Sequence, residues 1–396
     1  MTEVHRAQDD ETELRRTAGP RSGPPLLSGI PRQPGTPPAA LPPGRFARAF
    51  ELFTGRAVGP YQAAVVRIGF GLAWTGFLLR EWPNRRVLYG DRSPWSDELA
   101  ARLLAENHAF TVLSWHHGRL WFELVYHLAI VAAVLFTLGW RTRASGVLFL
   151  VTVLSLQNRN VFVGDGGDNV IHLMAVYLVF TRCAQVWSLD ARRRGSGGGV
   201  WLWVLLGLAL LTGPPGLLWV PWAVAALWWI VNRRYPNGEW RDVLDALANM
   251  LHNCAMLVIA GQVVLIYSTA GWYKVQGSRW QDGTAPHYPL HLDYFTPWPW
   301  LSGVLGASLP AVFLLSYGTV IVQVAFPFTL ANRRVKNVLL ALMMVEHAGI
   351  AVTLGLPFFS LTMIAADAVF LPTSALLWVG RAGRGLRRRW RRTALS

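Results

Sequence analysis

Of the 37 basic residues in this 396-residue chain, only Lys274 and Lys336 are lysines. Lys274 follows an apolar run, roughly 247–270, within Tyr267-Ser-Thr-Ala-Gly-Trp-Tyr-Lys274-Val-Gln-Gly-Ser-Arg-Trp280-Gln-Asp282-Gly283. A low-dielectric phase disfavours the charged form of a lysine and leaves a neutral amine that can take a proton. Arginine stays protonated in proteins, so Lys274 is the one base of its kind beside an apolar segment. The competing role is anchoring, in which an interfacial lysine reaches out to lipid headgroups.

Other chemistry-bearing residues fall into pairs. Glu123 and His127 stand at i and i+4 on one helix face, and Asp168 and His172 repeat the spacing. Such pairs usually make polar contacts between helices. Arg67 lies inside an apolar run, where an unpaired charge costs about 2.5 to 3.5 kcal/mol. A structural ion pair is therefore expected for it, with Glu123 or Asp168 as partner. Glu346 and His347 are adjacent and point to different helix faces, while Asp367 is isolated and receives no role. His108, His116 and His117 lack the neighbours of a zinc site. Gly164-Asp165-Gly166-Gly167-Asp168-Asn169 lacks the ligand alternation and closing glutamate of an EF-hand loop. A tight turn with Asp168 facing inward is expected there instead. The two cysteines, Cys183 and Cys254, give neither a disulfide framework nor a metal site.

The elements that must position these residues are apolar helices. With 53% hydrophobic and 15% charged residues and 20 tryptophans, the chain reads as an all-α polytopic membrane protein. Residues 1–45, with nine prolines, form an expected disordered tail, and 46–53 an amphipathic surface helix. Spans are expected at 61–79, 120–139, 144–156 and from Asp168 to about 187. Two short pieces, 200–212 and 216–231, flank Gly213-Pro214-Pro215 and read as a hairpin, with one re-entrant helix as the alternative. Further spans are expected at 247–270, 309–330, 335–354 and 358–379, about ten in all. The 80–119 connection holds an interfacial helix over 97–113. Arginines cluster at 141–143, 192–194, 233–241, 333–336 and in the tail 381–396, which places both termini in the cytoplasm of a multi-pass cell-membrane protein. The net charge of +15 is thereby explained without nucleic acid as a partner. The transmembrane domain covers 46–380, and its partner is the bilayer.

Tyr267-x-x-Ala-Gly-x-x-Lys274, followed by Trp280 and Gly283, resembles the signature of vitamin K-dependent gamma-carboxylases and their bacterial relatives, the HTTM (horizontally transferred transmembrane) family. Trp187-Ser-Leu-Asp190 is similar to that family's Trp-Ser-x-Asp. His347, with Gly355 and Phe358-Phe359, is similar to its late histidine and Gly-x-Phe segment, and Arg67 also suits the pattern. The resemblance covers roughly residues 50–375. It implies that Lys274 is the base that deprotonates a reduced quinone of the vitamin K kind, with His347 as a second catalytic group. It further implies that Tyr267 and Trp280 surround the substrate. Asp168, Asn169 and His172 correspond loosely to an Asn–His pair at the start of the family's fourth span. Tyr273 stands where the carboxylases have a second lysine. The chain ends about 16 residues after its last expected span, without the large domain on which carboxylases hold protein substrates.

Three functions follow as expectations. The first is a membrane enzyme, carboxylase-like if any, acting on a quinol or other lipid-soluble substrate at the outer face. The second is a non-enzymatic factor for maturation or export of a secreted peptide. A transporter ranks last, because no inverted repeat is visible. The first requires a cavity at the outer end of the bundle lined by Lys274, with His347 and the fourth-span polar residues near it.

Overall fold

A computed structural model describes residues 44–193, 219–235 and 238–393. The chain divides into two units, Met1–Ala47 and Arg48–Ser396, and the helical bundle belongs to the second. Of the expected tail over 1–45, residues 1–43 lie outside the described residues, as does the piece 200–212 with its Gly213-Pro214-Pro215 turn, while Arg45 already begins a helix. Every regular element described is helical. Five helices are long and apolar enough to cross a membrane: Pro60–Leu88, Arg119–Leu138, Glu239–Gln276, Leu309–Thr329 and Arg333–Thr353. In the last of these only 17% of the apolar window is buried inside the protein. The rest turns leucine and valine outward, a surface that suits hydrocarbon and not water.

We number the main helices α1 (Arg45–Gly55), α2 (Pro60–Glu81), α3 (Asp97–Glu106), α4 (Arg119–Leu138), α5 (Thr142–Arg159), α6 (Gly166–Leu178), α7 (Trp219–Arg234), α8 (Glu239–Gln276), α9 (Pro299–Ala307), α10 (Leu309–Ala325), α11 (Arg333–Thr353), α12 (Pro357–Asp367) and α13 (Thr373–Thr393). The core lies where α2 packs on α4 and α12, around Phe70, Trp74 and Tyr126, all fully buried. Small residues permit the close approaches. A Cβ on Gly69 would collide with Ala365 of α12, and one on Gly71 with Thr137 of α4. The helix α8, 38 residues long, spans about 57 Å. That exceeds the roughly 30 Å of a hydrocarbon core, so its polar start lies beyond the apolar part.

Local chemistry sets the ends. Gly139, at φ +65°, closes α4, its N–H bonding to Phe136 and the next N–H to Leu135. Asp165 and Asp168 cap the start of α6 reciprocally. Asp168 is buried, as expected from the turn.

Three expected elements differ. The span expected from Asp168 to about 187 is helical only to Leu178, after which the Phe180 and Thr181 N–H groups turn back to the Tyr177 and Leu178 carbonyls. The interfacial helix over 97–113 stops at Glu106, because His108 adopts φ +50° and the Ala109 N–H returns to the Leu104 carbonyl. The single span expected at 358–379 is broken after Asp367 into α12, a short 3-10 turn and α13. Pro372 has no N–H to continue the ladder. The freed carbonyls of Phe370 and Leu371 are taken by Lys336 Nζ and Gln62 Nε2.

Candidate functional site

Tyr267, Gly271 and Lys274 fall at i, i+4 and i+7 on α8 and so share one face. Gly271 lets α10 come close, since an added Cβ there would sit 2.9 Å from Val324 Cγ2. The neighbouring Gln323 thereby meets the lysine, whose Nζ donates to Gln323 Oε1 at 2.8 Å. Gln323 Nε2 in turn donates to Glu346 Oε1 at 2.8 Å on α11. After Gly277 the chain leaves α8 and turns through Ser278–Gln281, which brings the Trp280 ring over Lys274 Nζ at 5.2 Å. Gly283, at φ +77°, completes the turn where a Cβ would strike the Phe313 ring. Lys274 is half-buried, held between an amide oxygen and an aromatic face.

Two turns down α8, the Tyr267 hydroxyl lies 3.0 Å from His347 Nε2 and donates to Asp367 Oδ2 at 3.0 Å. A hydroxyl has one proton, so with the carboxylate as its acceptor it receives the second bond from an Nε2–H tautomer. All three residues are buried, at 1%, 3% and 0% exposure. His347 Nδ1 and Asp367 Oδ1 have no partner among the described residues. Adjacent positions on α11 thus serve two networks: Glu346 faces Gln323, and His347 faces Tyr267. The structure therefore brings together Tyr267, Lys274, Trp280 and His347. It adds Gln323, Glu346 and Asp367, which sequence reasoning did not assign. Their one signal was polarity inside apolar runs.

The fourth-span residues do not join this cluster. Asp168 Oδ2 accepts from the Asp165 N–H at 3.0 Å. His172 Nδ1 pairs with Gln157 Oε1 at 2.8 Å, and Gln157 Nε2 donates to the Asp168 carbonyl. Asn169 is exposed. Phe359 stands between the two groups, with its ring 5.5 Å from that of His347 and its backbone against Gly167.

The expected ion pair of Arg67 with Glu123 or Asp168 is also corrected. Arg67 is fully buried, and it donates to the carbonyls of Cys183 at 3.1 Å and Trp187 at 2.6 Å. Its neighbour on α4 is Gly139, 16 residues from Glu123, a rise of about 24 Å. Asp168 is likewise at the far end of α6. Glu123 instead receives both Nε and Nη2 of Arg85, at 2.9 and 3.1 Å. His127, expected to share a face with Glu123, lies beside it at 3.5 Å.

Trp187-Ser-Leu-Asp190 has a structural role at this end of the bundle. Trp187 is held at φ +50° with its carbonyl on Arg67. The Leu189 and Asp190 N–H groups bond to Leu138 and Gly139. The Asp190 carboxylate accepts from the Arg141 N–H, the Thr142 N–H and the Thr142 hydroxyl, all within 2.8 Å. The motif clamps the α4–α5 turn. A cavity of about 230 Å³ lies beside this clamp, lined by Thr142, Arg143, Arg182 and Asp190, and not beside Lys274. Among the described residues no group of three or more His, Cys, Asp and Glu could hold a metal ion. Compared with protein-family models, curated proteins and solved structures, the chain matches none.

Proposed function

We propose that the chain is a multi-pass protein of a cell membrane that acts on a lipid-soluble substrate with Lys274 as its base. About ten membrane segments, with both termini in the cytoplasm, agree with the alternation of its arginine clusters. Reporter fusions at Arg192 and Asp282 test this topology, and the same side for both overturns it.

The observation that carries the enzymatic reading is the setting of Lys274: Nζ is 2.8 Å from Gln323 Oε1 and beneath the Trp280 ring, at the end of an apolar helix. A neutral amine there takes the proton of an acidic O–H, leaving an ammonium on the protein and an oxyanion on the substrate. Glu346, one hydrogen bond away through Gln323, stabilises that ammonium electrostatically. A reduced quinone of the vitamin K kind is the substrate that the HTTM and gamma-carboxylase resemblance implies, meeting Nζ with its hydroxyl end. It supplies the acidic O–H, and Trp280, whose ring lies over Nζ, offers an aromatic face beside it. Tyr267, His347 and Asp367 are packed too tightly to line such a ligand. They lie behind Lys274 and fix the spacing of α8, α11 and α12, so His347 is a positioning residue in this reading.

The second reading, a non-enzymatic factor for maturation or export of a secreted peptide, is favoured by exposed Tyr294, Trp298 and Trp300 in the segment after Lys274. Lys274→Arg separates the two, because arginine keeps the charge and forbids the base. The purified variant should retain any co-extracted quinone seen by mass spectrometry, yet lose aerobic consumption of a reduced naphthoquinone. Wild-type consumption by Lys274→Arg overturns the base role.

A further inference from the structure

The helix α13 begins where α12 and its 3-10 turn have finished running back along α2. Phe358 meets Gly76 near one end of α2. At the other end Gln62 Nε2 donates to the Leu371 carbonyl at 2.8 Å and to the Thr373 hydroxyl at 3.2 Å. The Tyr61 and Trp187 rings meet edge to face at that level, with centroids 5.4 Å apart, as aromatic side chains gather at a membrane boundary. α13 then passes over this pair, since a Cβ on Gly380 would lie 3.0 Å from the Trp187 ring. Leu376 is buried, but Trp378 and Val379 are 66% and 52% exposed beside the boundary. Farther along, at Gly383 and Gly385, nothing among the described residues comes within 4 Å of an added Cβ, so the helix runs clear of the bundle there.

The charge of this element is set by the sequence. Residues 373–396 hold seven arginines and neither Asp nor Glu, nearly half of the chain's surplus of +15. Residues 1–43 hold five arginines and five acidic residues, so that stretch brings no negative surplus to offset them. Positions 384 and 388, and 387 and 391, are both arginine at i and i+4, a spacing that destabilises a helix standing alone in water. Positions 379, 386 and 390 are apolar and share one face by register. A basic helix with one apolar face, starting at the boundary, is suited to lie along a leaflet whose negative headgroups relieve its repulsion. Planar guanidinium donors match phosphate oxygens.

We infer that α13 lies on the membrane surface and binds the anionic phospholipid headgroups of the adjoining leaflet, with its arginines on the phosphates and Trp378 and Val379 on the apolar side. The inference is independent of any role for Lys274.

The test places the full chain in nanodiscs of phosphatidylcholine, or of an equal mixture with phosphatidylglycerol of the same acyl chains. Hydrogen exchange of the 383–393 amides is read by mass spectrometry, with the amides of α3 as the internal control. Exchange over 383–393 should slow about tenfold or more in the mixed discs, since each arginine at an anionic surface is worth about a factor of five in binding. The α3 amides should not change. Raising the salt to about 1 M, where charges are screened beyond roughly 3 Å, should remove most of the difference. The triple variant Arg387→Gln, Arg388→Gln, Arg389→Gln keeps good helix formers and should exchange within about twofold of the same rate in both discs. Equal exchange of the wild type in the two discs overturns the inference. Fast exchange in both leaves the helix free in water, and slow exchange in both means that protein covers it, residues 1–43 included. Protection in the mixed discs that survives both high salt and the triple variant overturns it as well, because the arginines would then not be what holds the lipid.

Discussion

The two ends of the bundle handle buried charge differently. Around Lys274 and Tyr267, side chains meet side chains: lysine to glutamine to glutamate, and histidine to tyrosine to aspartate, across α8, α10, α11 and α12. At the other end the two charged residues of the clamp are met mainly by backbone. Arg67 is satisfied by the carbonyls of Cys183 and Trp187, and Asp190 by the N–H groups of Arg141 and Thr142. Backbone partners belong to the fold and cannot turn away, so they make a rigid clamp. Partners on side chains can rotate and exchange protons, and such bonds are only about 10–15% of those in folded proteins. The clamp end therefore reads as architecture, and the Lys274 end as the place where chemistry is available.

If that contrast is right, the largest stability loss comes from the clamp. Arg67→Met should leave two buried carbonyls unpaired and cost roughly 2–5 kcal/mol, read as a fall in the detergent thermal midpoint. Glu123→Gln, at the supposed partner, should leave Arg67 and its two carbonyl bonds intact. An equal loss for both variants would restore the Arg67–Glu123 pair and dissolve the distinction.

Tyr267→Phe should cost less, about 1–3 kcal/mol, by stranding the Asp367 carboxylate and His347 Nε2. Its effect should be strongly non-additive with Asp367→Ala, since the two share one hydrogen bond. Additive midpoints in the double variant would mean that the bond carries no energy.

Asp190→Ala should follow at about 0.5–2 kcal/mol, the usual worth of a carboxylate that caps a helix start. Limited proteolysis should then cut near Trp140 sooner than in the wild type. Unchanged cleavage would show the turn to be held by the Leu189 and Asp190 backbone bonds alone.

The smallest effect lies outside both ends, in the loop pair Arg86–Asp91. The hydrogen bond from Arg86 holds the Asp91 carboxyl down at about 2. A depressed carboxyl contributes stability that is fully present above its unfolded value of roughly 3.9 and is lost as pH falls toward 2. The thermal-midpoint gap between wild type and Asp91→Asn should be steady near neutrality and close between about pH 4 and pH 2. A gap unchanged down to pH 2 would mean that the salt bridge contributes nothing.

Much of this architecture was legible from the residues. Apolar runs marked α2, α4, α8, α10 and α11, because a span must satisfy its own backbone and needs no partner to be recognised. Scarcity singled out Lys274, and its motif placed Tyr267 and Trp280 near it. Gly139, Asp165 and Pro372 carry end signals that act within a few residues. Local chemistry of this kind is written in the chain.

What the sequence by itself determined is therefore the all-helical class, the apolar helices and the prominence of Lys274. Only the tertiary structure decided the pairings. Arg67 looked in need of a carboxylate, yet antiparallel packing put Glu123 about 24 Å away along α4 and offered carbonyls instead. Asp367 looked isolated, yet α12 carries it to Tyr267, 100 positions earlier in the chain. Gln323 had no distinguishing neighbour until Gly271 let α10 close on α8. Asp168 and His172, spaced like a site, are used up by a helix cap and by Gln157. The reason is geometric: spacing along a helix says which residues share a face, and packing alone says what that face meets.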